Sequence, residues 1–158
     1  MTLKAFLEGL KRHGLLQDYA LFHSLYTYGF RIQELSKCHE WKYADKETLV
    51  CQPSKKSKLR YFAAAQAHPL LLKSVQAGKN LIYISSYSTY RRLFEERVKG
   101  KGFYIKEKKV STHIFRHALA KRMYEGGSSP MTIQKYLGLN SLEIALGYIH
   151  SDIFSIEK

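Results

Sequence analysis

Only 13 of the 158 residues are Asp or Glu, against 26 Lys or Arg, which leaves a formal net charge of +13 and a pI near 9.7. So small a complement of acids points to a polyanionic partner: nucleic acid, an anionic membrane surface or an acidic protein would each satisfy it. Cysteine is nearly absent. Cys38 and Cys51 are too few for a disulfide scaffold and neither belongs to a CxxC pair, so both read as reduced, partly buried thiols. No run of about 18 apolar residues suggests a membrane span, and the opening MTLKAFLEGLKRHG lacks the unbroken apolar stretch of a secretory signal, so the chain reads as intracellular. Internal repeats, low-complexity tracts, linkers, a Walker loop and a carboxylate cluster are also missing. What remains is 45% hydrophobic with a mean hydropathy of −0.33, enough apolar material for one compact core. Aromatic residues are skewed to twelve Tyr and eight Phe beside one Trp; tyrosine next to Lys or Arg suits contact with a phosphodiester backbone, although most of these rings belong in a core.

The periodicity predicts two helices over residues 3–29, broken at Gly14, with Gly29 as the C-cap and a short helix after it carrying Ile32 and Leu35 on one face. Between residues 41 and 64 the pattern changes. Residues 48–52 and 60–64 are β-prone and flank the basic stretch 53–58, which predicts a hairpin with a basic tip. Pro69 opens a helix through Val75, residues 81–84 read as a short strand or buried extended piece, and residues 85–98 as an amphipathic helix. Residues 99–102, with Gly100 and Gly102, read as a loop. Ser111 or Thr112 caps a helix to about Tyr124, ended by Gly126 and Gly127; residues 130–137 and 141–148 are the last two helices. The fold class is therefore α+β and mostly α-helical, one domain over residues 1–158 with a small antiparallel sheet.

Three clusters stand out for chemistry. On a helix, His113, Arg116 and His117 fall at i, i+3 and i+4 and project from one side, which calls for an anion or for water. A zinc-protease helix would need Glu directly after the first His, and that position is Ile114, so no metal is expected; a solvated basic face is the plain alternative. Arg31 stands at a helix start with Glu34 three residues on, an arrangement that holds a guanidinium fork ready for bidentate phosphate contact, although exposed Arg–Glu pairs usually mean little. Tyr148 follows Gly147, which leaves its ring unshielded on one side; that suits an accessible phenol and equally an ordinary aromatic near a chain end.

Taken in order and spacing, residues 28–35 (YGFRIQEL), 112–118 (THIFRHA), 136–138 (YLG) and 147–150 (GYIH) resemble the boxes of the tyrosine recombinase (phage integrase) catalytic domain, over about residues 15–150. The resemblance implies Arg31 as the first catalytic arginine, His113 and Arg116 as the His-x-x-Arg pair, Tyr148 as the nucleophile and Lys55 as the hairpin lysine, with Lys56 and Lys58 close enough in register to compete for that role. It also implies supporting roles for Glu34, His117 and Asn140. One position departs: where the family usually has His or Trp after Leu-Gly, this chain has Leu139, which cannot donate a hydrogen bond to phosphate. The resemblance further implies a separate N-terminal DNA-clamping domain, for which this chain has no room, and a homo-oligomer on DNA, a tetrameric synapse.

In such chemistry two arginine forks stabilise charge on the nonbridging oxygens, and a phenol, which titrates near 10 in water, needs help to attack. His113 would assist the proton transfer and Lys55 would protonate the leaving 5′-oxygen. No cofactor is expected, because a phosphotyrosyl ester retains the phosphodiester bond energy for resealing. Lys56, Lys58 and Arg60 on the hairpin, with Lys99, Lys101, Lys106, Lys108 and Lys109, would track backbone phosphates of double-stranded DNA in a cytoplasmic, nucleoid-associated setting. Two alternatives stay open: a family member that binds DNA with weakened turnover, for which Leu139 speaks, and a type IB topoisomerase-like enzyme.

Overall fold

The computed structural model describes residues 3–51, 58–82 and 114–150. Among them are seven α-helices: α1 (Leu3–Arg12), α2 (Leu16–Tyr28), α3 (Ile32–Ser36), α4 (Pro69–Ala77), α5 (Ile114–Glu125), α6 (Pro130–Leu137) and α7 (Leu142–Ile149). Three strands, β1 (Lys42–Tyr43), β2 (Thr48–Cys51) and β3 (Arg60–Ala63), form an antiparallel sheet in the order β1-β2-β3. The expected hairpin is there, with Cys51 opposite Arg60 and Thr48 opposite Ala63. β1 goes beyond the sequence reading: it is only two exposed residues, too short for an alternating pattern, and exists because Lys42 and Tyr43 pair with Val50 and Leu49. The helix expected over residues 85–98, the loop at residues 99–102 and the Ser111 or Thr112 cap lie outside the described residues.

Helix starts and stops follow local chemistry. Ser129 and Ser141 accept from the backbone N–H groups of Thr132 and Ile144 and so cap α6 and α7. Gly29, Gly78 and Gly138 end α2, α4 and α6 in the left-handed conformation. Along α1, Leu3, Phe6, Leu7 and Leu10 are all buried, as their spacing predicts. Together with α2, the sheet and α4 they build one apolar cluster, in which Phe6 meets Phe22 edge-on at 5.3 Å and Phe30 sits between Trp41 (4.8 Å) and Phe62 (4.6 Å). A second cluster of Leu119, Ala120, Ile133, Leu137, Leu139, Ala145 and Ile149 packs α5, α6 and α7 together. No described helix is long and apolar enough to cross a membrane.

The start of α4 has an unusual cap. His68 Nδ1 accepts from the Leu70 N–H at 3.1 Å, so the cap needs a neutral imidazole. Burial lowers the pKa of His68; burial, then His68 and Lys11, lower that of His23, whose ring centroid lies 6.2 Å from that of His68. Both histidines thus titrate below the ordinary value of about 6.5, so the stability they contribute is complete above that pH and is lost as pH falls beneath it. Acidification from pH 7.5 to 5.5 is expected to lower the thermal midpoint by roughly 3 °C for a cap of about 1 kcal/mol. Asparagine caps at any of these pH values, so His68→Asn should reduce that drop; an undiminished drop in differential scanning fluorimetry would place the titration elsewhere.

Candidate active site

Two helix C-termini form the floor of the site. The last carbonyls of α2 and α6 are orphans by helix geometry, and the chain supplies two guanidinium groups to take them. Arg116, on α5, donates through Nη1 to the Gly29 carbonyl and through Nη2 to the Leu137 carbonyl at 2.6 Å. Arg60, on β3, donates through Nη2 to the neighbouring Tyr28 carbonyl at 3.1 Å and through Nε to the neighbouring Tyr136 carbonyl at 2.7 Å. The two arginines therefore lie side by side across both helix ends, where the negative end of each helix dipole favours cations. Close packing requires glycine at both caps. A Cβ on Gly29 would stand 2.8 Å from Leu119 Cδ2 and 2.9 Å from Leu137 Cδ2, and one on Gly138 would stand 3.0 Å from Arg60 Cδ.

Glu34 is the one buried carboxylate among the described residues, and it is 1% exposed. Its Oε1 accepts from Arg60 Nη1 at 2.8 Å and from the Arg31 backbone N–H at 2.7 Å, and lies 3.8 Å from Arg116 Nη1. The expectation that Glu34 grips the Arg31 fork is thus corrected: it holds the Arg31 backbone as the N-cap of α3, and the guanidinium it grips is that of Arg60. Cys51 Sγ donates to Glu34 Oε2 at 3.6 Å, and burial followed by the nearby carboxylate pushes the thiol pKa up, which keeps it inert.

Arg60 itself is a second correction. The sequence suggests that it tracks DNA phosphates on the hairpin surface, but it is 2% exposed, with its guanidinium carbon 4.6 Å from the Phe62 ring centroid. Alternation along β3 explains this: Arg60 and Phe62 point inward while Tyr61 and Ala63 point out. That period-two signal is present in the sequence and places Arg60 beside a core phenylalanine.

Around this floor the structure gathers three of the expected catalytic residues. Arg31 is half-buried at the start of α3, and its Nη1 is buried without a hydrogen-bond partner. Arg116 Nε is likewise buried and unpartnered. Burial first, then the like charges of Arg60 and Arg31, lower the Arg116 pKa to about 10, with Tyr148 and Glu34 acting in the opposite direction. Arg31, Arg60, Glu34 and Tyr148 are therefore all within Coulomb reach of Arg116. Tyr148, near the end of α7, is half-buried with its ring edge-to-face against His117 at 4.2 Å between centroids.

The other expected residues divide into those on the described surface and those outside the described residues. Asn140 is exposed at the turn between α6 and α7. Leu139 is 5% exposed and belongs to the apolar cluster of α5, α6 and α7, with its carbonyl accepting from Gln134 Nε2 at 3.4 Å. Lys58 is exposed just before β3, at the rim of a groove of about 960 Å³ that runs between β3 and α6 to Gly138 and Leu139. Lys55, Lys56, Lys99, Lys101, Lys106, Lys108, Lys109 and His113 lie outside the described residues.

A sequence model described as the phage integrase family matches residues 2–153, nearly the whole chain. The chain belongs to that family. Among curated proteins no sequence match emerges. Among solved structures, XerA recombinase shares 20% identity and a TM-score of 0.66 over 97% of this chain and 59% of its own. XerH site-specific recombinase bound to difH substrate, in a pre-cleavage complex, shares 19% identity and a TM-score of 0.69 over 94% of this chain and 48% of its own. XerH in a post-cleavage complex with palindromic difH substrate gives 20% identity and a TM-score of 0.70, covering 98% of this chain and 49% of that one. These likenesses establish the fold of this phage integrase family member, which spans about half to three-fifths of the length of the structures it matches.

Proposed function

We propose that this chain is the catalytic domain of a site-specific tyrosine recombinase, cleaving and rejoining double-stranded DNA through a 3′-phosphotyrosyl intermediate. The observation that carries the reading is the pair of buried, unpartnered donors, Arg31 Nη1 and Arg116 Nε, on two arginines within Coulomb reach of each other, Arg116 also within reach of Tyr148. A buried donor without an acceptor costs about 1–3 kcal/mol, and a phosphate placed between the two would recover that. Arg31, Arg60, Arg116 and Glu34 together carry a formal charge of +2. A phosphodiester carries one negative charge and its pentacoordinate transition state two, so the cluster is balanced at the transition state and not before, which is the condition for rate acceleration.

In this mechanism Tyr148 Oη attacks the phosphorus, the forks of Arg31 and Arg116 hold the nonbridging oxygens, and the 5′-oxygen leaves. His117 holds the Tyr148 ring through its edge-to-face contact, His113 assists the transfer of the phenol proton, and Lys55 protonates the leaving oxygen. Rejoining is the reverse: the 5′-hydroxyl attacks the phosphotyrosine and Tyr148 leaves as the phenol. Lys58 and the lysines at 56, 99, 101, 106, 108 and 109 bind backbone phosphates, so affinity falls steeply with salt. The domain spans residues 1–158 and works as a homo-oligomer on DNA, a tetrameric synapse in the recombinase manner.

The test is incubation with nicked suicide duplexes carrying a randomised core, followed by denaturing electrophoresis. A protein–DNA adduct at the 3′ side of the break supports the proposal. Absence of any adduct from folded, DNA-retaining protein would leave only DNA binding, and relaxation of supercoiled plasmid at no defined site would favour a topoisomerase.

Burial of Leu139 favours a slower member of the family, because no donor stands at that position to help the arginines. Leu139→His would place an imidazole among Leu137, Ile133 and Ala145, costing about 2–3 kcal/mol and lowering the thermal midpoint by roughly 5–10 °C. An unchanged midpoint with faster cleavage would show that the side chain at 139 turns toward the phosphate.

A further inference from the structure

We infer that Arg60 is a positioning residue for strand cleavage: by holding the Glu34 carboxylate, it keeps Arg116 from being neutralised and so leaves Arg116 available to phosphate. The inference rests on the reading that Arg31 and Arg116 receive the scissile phosphate.

Each nitrogen of the Arg60 guanidinium donates to an acceptor: Nε to the Tyr136 carbonyl at 2.7 Å, Nη1 to Glu34 Oε1 at 2.8 Å and Nη2 to the Tyr28 carbonyl at 3.1 Å. Its carbon also lies within reach of three rings, at 4.6 Å from Phe62, 5.8 Å from Phe30 and 5.9 Å from Tyr136. So placed, Arg60 is not itself a phosphate ligand; its charge is directed at Glu34.

The competition for Glu34 is the central point. Oε1 is 2.8 Å from Arg60 Nη1 and 3.8 Å from Arg116 Nη1, so a movement of about an ångström would hand the carboxylate from one arginine to the other. In a buried site that attraction is only weakly screened. Without Arg60, Glu34 would keep the Arg31 backbone N–H and the Cys51 thiol, and among the described residues Arg116 is the nearest remaining cation it can close upon. An Arg116 paired with Glu34 has surrendered its charge before the phosphate arrives. With Arg60 present the reverse holds: Arg116 faces two like charges and shares one carboxylate, and is short of negative company that a phosphate supplies. Arg60 therefore sets the electrostatic state of a group it does not touch through any hydrogen bond, by way of a shared carboxylate and the parallel carbonyl pairs of Tyr28 with Gly29 and Tyr136 with Leu137.

The experiment compares single-turnover cleavage of a nicked suicide duplex at saturating DNA, together with DNA affinity, in wild type, Arg60→Met, Glu34→Gln and the double variant. Methionine keeps an unbranched apolar stem against the same rings and removes the charge and the donors. Arg60→Met is expected to slow cleavage about 100-fold, the scale of losing one preorganised donor to the transition state, with DNA affinity changed less than about threefold. Adding Glu34→Gln removes the carboxylate that captures Arg116, so the double variant should cleave at least about tenfold faster than Arg60→Met alone. A double variant no faster than the single one would show that Arg60 is only a packing element. If Arg60→Met does not fold, Arg60→Lys decides: it keeps a cation beside Glu34 but cannot serve three acceptors. Cleavage within about tenfold of wild type despite a lower thermal midpoint supports the inference, whereas loss in step with the folded fraction overturns it. Failure of the wild type to cleave would count against the proposed recombinase function; cleavage by wild type without rescue in the double variant counts against Arg60 alone.

Discussion

Arg116→Lys is expected to reduce strand cleavage by at least about 10²–10³-fold, the effect of deleting one aimed donor to a developing oxyanion, and to destabilise the fold as well. The side chain is 1% exposed and ties the Gly29 and Leu137 carbonyls of two helices together. A lysine ammonium is a point donor without the planar fork, so it cannot reach both carbonyls and still aim a donor at phosphate. One buried carbonyl left unsatisfied costs about 1–3 kcal/mol, which corresponds to a fall in thermal midpoint of roughly 3–10 °C for a domain of this size. The check is cleavage rate per folded molecule alongside the midpoint. Equal cleavage by wild type and Arg116→Lys would remove Arg116 from the chemistry. A loss of stability with no loss of rate would reduce it to a strut between α2 and α6.

Tyr148→Phe is expected to separate the two effects: abolish covalent capture and leave stability almost untouched. The phenol ring keeps its edge-to-face contact with His117 when the hydroxyl is removed, because that contact at 4.2 Å is made by the rings. The side chain is half-buried, so the loss of one hydroxyl changes stability by no more than about 1 kcal/mol. What disappears is the only protein oxygen that the proposed mechanism bonds to phosphorus. DNA retention in a filter assay should be preserved, since the proposed backbone contacts are those of the lysines. A Tyr148→Phe protein that still forms the adduct would move the nucleophile to another residue.

How much of this is legible in the sequence depends on the range over which each feature is determined. The face of α1 through Leu3, Phe6, Leu7 and Leu10, the hairpin of β2 and β3, the starts of α4 and α6 at Pro69 and Pro130, and the start of α7 to within one residue, behind its Ser141 cap, are set by spacing and capping within a few residues, and the structure has them there. Arg31, Arg116 and Tyr148 stand out from motif order, and the structure does bring both Arg31 and Tyr148 within reach of Arg116. The partners of those residues are not legible, because they come from far away in the chain. Arg116 binds a carbonyl 87 residues distant and Arg60 one 76 residues distant. A charged residue also invites a surface reading, since lone arginines are seldom buried. Arg60 escapes that rule only because two helix ends and one carboxylate converge on it. Leu139 shows the same limit from the other side: its lack of a donor is evident, while its place in the core between α5, α6 and α7 requires the fold.

Three arginines and one glutamate gather at the negative ends of two helices, two of the guanidinium donors are left without acceptors, and one tyrosine stands within Coulomb reach of Arg116. That arrangement is costly in an empty site and favourable around a phosphate.

The measurement that tests this most directly is peptide mapping of the covalent complex. Wild-type protein captured on a nicked suicide duplex, digested with nuclease and protease and examined by mass spectrometry, should show a nucleotide linked through its 3′-phosphate to the peptide containing Tyr148. A nucleotide carried by any other residue, or a captured complex that persists in Tyr148→Phe, would contradict it.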